Sequence, residues 1–260
     1  MLGCIAGDMV GSVCEGFSKG TKREDFPLFS PHSRFTDDTV LSVAVADAIL
    51  GGEDFQPALL RWARRYPHAG YGGMFRDWMN ADSPRPYRSF GNGSAMRAGP
   101  VGWAFDTLED TLEAARASAL PTHDHPEGIK GAQAVALAVW LARNGAGKHD
   151  IRVEVERRIG YSLRRSLAEI RPGYRFDVTC QGSVPEAITA FLESSSLEDA
   201  IRKAVSLGGD PDTQACIAGA IAEAAYGAAS GELLRQVRAR LPSDLLDVVD
   251  RFEARFGPGN

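Results

Sequence analysis

Cysteine is scarce in this sequence, and what there is falls into no ligand pattern. Cys4, Cys14, Cys180 and Cys216 form no C-x-x-C pair, and no histidine stands at zinc-finger spacing. That excludes a thiolate metal site and a disulfide framework and leaves buried free thiols as the expectation. Long apolar runs are missing too: none approaches the ~18 residues a membrane span needs. The apolar stretch through Val13 carries Asp8 and lacks a basic flank, so it does not read as a secretory signal, and a cytoplasmic location is expected. Positive charge is also short, with 29 Lys and Arg against 34 Asp and Glu and a net charge of −5. A generic, charge-driven grip on nucleic acid or anionic lipid is therefore excluded. A small anionic ligand held by backbone N–H groups stays open, because net charge says little about a local site. Strand-like alternation is absent except briefly around Tyr174–Cys180, and no repeat, linker or charge block divides the chain.

What the chain does have is alanine, 36 of its 260 residues, together with 28 Gly and 14 Pro. That composition describes many helices joined by tight turns, and an all-α single domain over residues 1–260 is the expectation, monomeric by default. An apolar helix is predicted over 39–50, stopped by Gly51-Gly52 as a C-cap should be, and an amphipathic one over 54–65 ending before Pro67. Further helices are predicted over 109–119, 126–143, 149–158, 161–169, 185–194, 197–206, 211–229, 232–240 and 243–255. Three segments are too rich in Gly, Asp and Thr to be mere connectors: 34–39, 89–100 and 207–213.

Two of these carry aspartate clusters. Thr36-Asp37-Asp38-Thr39 lies where a loop meets an apolar helix, and Gly208-Gly209-Asp210-Pro211-Asp212-Thr213 opens another. Each cluster alone has a structural explanation. Asp and Thr are favoured N-caps, Pro suits the first helical position, and acids near an N-terminus suit the helix dipole. Taken together they invite another. A cap needs one side-chain oxygen, whereas each cluster offers two carboxylates and a hydroxyl, and adjacent carboxylates repel unless a cation relieves them. These are hard oxygen donors of the kind that Mg2+, Mn2+ or Ca2+ prefers. If the two helix starts meet, a binuclear site results that can orient a substrate and activate a water.

The third segment, with Gly91, Asn92, Gly93, Ser94, Ala95 and Met96 before Arg97, formally contains G-x-G. No strand precedes it, so a dinucleotide fold is a poor reading. Small residues there still let backbone N–H groups approach an anion, and a tight interhelical turn is the alternative.

With these residues in place the chain resembles the ADP-ribosylglycohydrolase family. The matching pieces are Gly3-Cys-Ile-Ala-Gly-Asp8 with Gly11 and Glu15, Thr36-Asp37-Asp38-Thr39, Gly91 to Arg97 with Pro100, Thr122-His123, Gln181-Gly-Ser-Val184, and Gly208 to Thr213 followed by Gly219. They run nearly end to end in order. The resemblance implies a compact, all-helical fold. It implies that Thr36, Asp37, Asp38, Asp210, Asp212 and Thr213 hold two Mg2+ or Mn2+ ions, which bind the hydroxyls of the ribose attached to the modified side chain. It implies that Glu15 is a general acid/base or helps bind metal and substrate, and that Gly91–Met96 bind the diphosphate of ADP-ribose. His123 and Ser183 would line the same pocket. The corresponding activity is hydrolysis of the bond between ADP-ribose and an acceptor, most simply a protein side chain, with arginine favoured. A non-catalytic ADP-ribose-binding or immunity-type module and a hydrolase of a free ADP-ribose derivative or of ADP-ribosylated nucleic acid are the alternatives. Acceptor preference would lie in residues 66–88, with Tyr71, Phe75 and Asp77, and in the stretch after Glu15.

Overall fold

The computed structural model describes residues 1–15, 20–227 and 231–257. Fifteen α-helices run through them in the order α1 Leu2–Gly11, α2 Asp37–Gly51, α3 Phe55–Arg65, α4 Gly73–Asn80, α5 Gly93–Met96, α6 Gly99–Ala104, α7 Leu108–Ala119, α8 Pro126–Arg143, α9 Lys148–Arg158, α10 Leu167–Ile170, α11 Cys180–Leu192, α12 Leu197–Val205, α13 Pro211–Tyr226, α14 Gly231–Arg238 and α15 Ser243–Phe256. No strand occurs among the described residues, where an isolated antiparallel bridge pairs Gly91 with Thr179. The all-α expectation is met. No helix among the described residues is long and apolar enough to cross a membrane.

Helix α13 is the axis of the packing, touched by α1, α12, α11 and α8. Its residues 211–223 are all buried, as is every residue of α1. These two helices approach closely because Gly3, Gly7 and Gly11 recur every fourth residue and so share one face of α1. A methyl group at Gly7 would overlap the backbone of Ala215, and one at Gly11 the backbone of Asp212. The crossing carries Asp8, which lies beside that glycine stripe, towards the start of α13.

Helix α2 is apolar all round and therefore lies inside, between α3, α15 and α6. Thr36 caps its start by accepting from the Asp38 N–H at 3.3 Å, and Gly52 ends it in the left-handed region at φ +64°. Outer helices such as α3 and α15 are amphipathic. Leu245, Val248, Val249 and Phe252 of α15 are buried while Asp247, Asp250 and Arg251 between them face water.

Several elements depart from the sequence reading for identifiable reasons. Residues 161–169 form a helix only from Leu167, where Ser166 and Glu169 make a reciprocal capping box. Helix α11 begins five residues before Pro185, because Thr179 caps it by accepting from the Gly182 N–H at 3.1 Å. The alternation around 174–180 is no strand: Asn92 N–H donates to the Val178 carbonyl at 2.7 Å and Cys180 N–H to the Phe90 carbonyl at 2.9 Å. That bridge fastens the glycine-rich segment to the start of α11. The segment itself holds two short helices, α5 and α6, and residues 66–88 hold α4, all below the length at which periodicity is readable. The predicted helix end at 228–229 lies outside the described residues.

Candidate active site

The starts of α2 and α13 meet. Thr213 Oγ1, from the first turn of α13, donates to Asp38 Oδ2 at 3.4 Å, and Thr36 Oγ1 lies 3.4 Å from the same oxygen. One carboxylate oxygen from each of Asp8, Asp38 and Asp212 lies within 4.8 Å of the others. Oxygens around one Mg2+ sit about 3 to 4.2 Å apart and those around Ca2+ slightly farther, so small side-chain shifts would close this group on a cation. Asp38 Oδ1 is buried without a hydrogen-bond partner. A buried carboxylate oxygen left unpaired is strongly unfavourable unless a cation takes it.

Burial and mutual repulsion dominate the electrostatics. Burial raises Asp8 and Asp210 to about 6, against the opposing hydrogen bonds each accepts. Burial, with Asp8 nearby, pushes Asp37 up to about 8. Asp38 is raised well above the usual carboxylate range by burial and then by Asp8, Asp37 and Asp210, and Asp212 by burial and then by Asp210, Asp38 and Glu15. Among the described residues no Lys or Arg forms an ion pair with any of the five. A divalent ion reverses these shifts by favouring the ionised form. The donor set therefore fits a hard cation.

The acids open into a cavity of about 390 Å³, within the size range of small-molecule sites. Glu15, Asp37, Asp38, Asp210, Asp212, Thr213, Gly91, Asn92, Gly93, Met96 and His123 line it, with Phe75, Tyr87, Phe176 and Val178 among the other walls. Of the remaining residues singled out from sequence, Thr36 lies at the capped start of α2. Ser94 is fully buried and its hydroxyl donates to the Gly128 carbonyl at 2.6 Å. Ala95 is fully buried in the core. Ser183 accepts from Asn92 Nδ2 at 3.2 Å, and that same amide nitrogen donates to Asp210 Oδ2 at 2.7 Å. Ser183 and Asn92 thus form a brace that fixes the Asp210 carboxylate at the cavity wall. Four N–H groups of the glycine segment are spent inside the protein: Gly91 donates to Ser89 Oγ, Asn92 to the Val178 carbonyl, and Ala95 and Met96 both to the Asn92 carbonyl. Tyr71 is buried against Phe75 with ring centroids 5.1 Å apart, while Asp77 lies outside the cavity on the exposed side of α4.

Asp8, which the sequence motifs include without a role, is a buried hub of hydrogen bonds. Its Oδ2 accepts from Thr36 N–H at 2.9 Å, Thr39 N–H at 3.2 Å and the Thr39 hydroxyl, and its Oδ1 from the Thr36 hydroxyl at 2.7 Å. It shapes the Thr36–Thr39 turn and points the lone pairs of Thr36 away from itself. The legible signal was an ionisable residue in the middle of an otherwise apolar helix, which needs a buried partner.

An all-helical fold with paired aspartates at two facing helix starts is a frame that could hold a divalent cation. Its family follows from comparison: the ADP-ribosylglycohydrolase profile matches residues 1–259, and the chain belongs to that family. It is similar to ADP-ribosylhydrolase ARH3 of Danio rerio, 29% identical over 91% of this chain and 84% of that one. It is also similar to ADP-ribosylarginine hydrolase Tri1 of Pseudomonas putida, 25% identical over 87% of this chain and 69% of the other. Among solved structures, one titled ADP-ribosylglycohydrolase-related protein complex superposes with a TM-score of 0.74 at 26% identity, covering 98% of this chain and 95% of that one.

Proposed function

We propose that the protein is a binuclear, Mg2+-dependent hydrolase (Mn2+ serving as well) that releases ADP-ribose from an acceptor, with an arginine side chain as the favoured linkage. The observation that carries this reading is the group of four aspartates, Asp37, Asp38, Asp210 and Asp212, that line one cavity with Asp8 buried behind them and, among the described residues, no Lys or Arg paired with any of the five, in a member of this family. Thr36, Asp37, Asp38, Asp210, Asp212 and Thr213 would hold the two ions, with Asp8 holding the Thr36 turn behind them. When bound, the ions supply the charge that grips a ribose diol and lowers the pKa of a water.

The chain's own residues do the rest. Glycoside cleavage passes through an oxocarbenium-like state: the bond from the anomeric carbon to the acceptor breaks, its electron pair leaves with the acceptor, and water supplies the new hydroxyl. The leaving group needs a proton and the water must lose one. Glu15 is the group placed on the cavity wall to exchange them, and its charge is felt by Asp37, Asp210 and Asp212. A guanidinium acceptor suits this acidic surround electrostatically. Gly91, Asn92, Gly93, Met96 and His123 wall the remainder of the cavity and would contact the ADP-ribose moiety. Incubation with arginine-, serine- and nucleic-acid-linked ADP-ribose, with Mg2+ or chelator, tests the reading. Metal-dependent release from the arginine conjugate supports it, and release from none overturns it.

A further inference from the structure

Among the described residues Arg97 is the largest fully buried side chain, and it pairs with no acid. Its Nη2 donates to the Ser118 carbonyl at 2.8 Å and to Thr122 Oγ1 at 2.9 Å, while Nε and Nη1 are buried without partners. A guanidinium held in this way is expensive, so its placement calls for a reason beyond packing. Thr122 Oγ1 lies 2.6 Å from Nδ1 of His123, its neighbour in sequence. The other ring nitrogen of His123, Nε2, faces Gly91 and Gly93 across the cavity wall. A methyl group at Gly93 would lie 3.4 Å from Nε2, so glycine at that position keeps the nitrogen uncovered.

Proton counting fixes the direction of one of these bonds and points to that of the other. Guanidinium has no acceptor, so Arg97 donates to Thr122. That occupies one lone pair of Oγ1, and Thr122 is fully buried, so its own hydroxyl proton needs an acceptor inside the protein. The hydroxyl has one proton to place, and Nδ1 of His123 is the acceptor at hand. Burial and the nearby Arg97 charge both hold His123 neutral, so one ring nitrogen is free to accept.

We propose that Arg97 and Thr122 are positioning residues that lock His123 in the Nε2–H tautomer, presenting one oriented donor between Gly91 and Gly93 to an acceptor atom of the ligand. The ligand half rests on the ADP-ribose reading, where the acceptor is a phosphate oxygen or an adenine ring nitrogen. The tautomer half does not.

The test is a long-range 1H–15N spectrum of the full-length protein with 15N-labelled histidine. Without ligand, His123 shows a protonated Nε2 and an unprotonated, acceptor-type Nδ1. A protonated Nδ1 in the wild type overturns the proposal whatever the enzyme's substrate. Thr122→Ser keeps the wild-type signature, whereas Thr122→Val populates the Nδ1–H tautomer and weakens ADP-ribose binding about tenfold, the factor for one net hydrogen bond. Retention of the tautomer in Thr122→Val overturns the relay, and an unchanged affinity overturns the donor role. Titration with adenosine and with ADP-ribose separates the acceptors. A shift of Nε2 with adenosine assigns the base, a shift with ADP-ribose alone assigns the diphosphate, and a shift with neither refutes the ligand half while leaving the tautomer result standing.

Discussion

Removing divalent metal should change the stability of this protein in a pH-dependent way. In metal-free protein the folded state holds protons on Asp37 up to about pH 8 and on Asp8 and Asp210 up to about pH 6, whereas the unfolded chain loses them near 4. The folded state therefore binds more protons between about pH 4 and pH 8, and linkage makes the contribution of these groups fall as pH rises through that window. Divalent ions take the place of those protons, so their stabilising effect grows over the same range. An ion at a hundredfold excess over its Kd adds about 2.7 kcal/mol. For a chain of this length the unfolding entropy is roughly 0.5 kcal/mol/K, so each ion raises Tm by about 5 °C. Differential scanning calorimetry in Mg2+ and in chelator at pH 5, 6, 7 and 8 reads the effect directly. The gap between the two curves should be small at pH 5 and widest at pH 8. A gap that is absent at pH 8, or that narrows as pH rises, would refute the assignment of the acids to a metal site.

Asn92→Ala removes the amide that fixes Asp210 and should weaken Mg2+ binding by about 10- to 100-fold in calorimetric titration, as losses behind a metal ligand do; an unchanged affinity contradicts the brace. Glu15→Gln should lower kcat by about 10²- to 10⁴-fold while the Mg2+-induced rise in Tm persists, as expected of an acid/base group rather than a ligand. If the thermal shift disappears with the activity, Glu15 holds metal instead. Gly7→Ala should destabilise the protein by about 1–3 kcal/mol in denaturant titrations, because the added methyl meets the backbone of Ala215 and neither helix can yield cheaply. A neutral effect would mean that the α1–α13 crossing is looser than described.

Much of this was legible in the sequence because helices announce themselves locally. The apolar run from Thr39 to Leu50, its Thr36 cap and its glycine stop together locate α2 without any tertiary knowledge. The short helices α4, α5 and α6 were not legible, since they have too few turns for a periodic pattern and are held by their neighbours. Pro185 concealed the start of α11, because a proline near a helix start reads as a boundary even when a threonine six residues earlier supplies the cap. The acids at both helix starts stood out by their number, but their meeting depends on the crossing of α1 and α13, where glycines rather than large side chains do the packing. The roles of Asp8, Asn92 and Ser183 arise from partners 28 to 118 residues away, a separation that no local pattern encodes.

The central claim is that the acid-lined cavity releases ADP-ribose by a metal-dependent hydrolysis. The most direct measurement is the rate of ADP-ribose release from an arginine-ADP-ribosylated protein by the wild type and by Asp38→Ala, each with Mg2+ and with chelator. The account predicts release by the wild type in Mg2+ alone, and none from Asp38→Ala under either condition. Release that persists in chelator, or in Asp38→Ala, would contradict it.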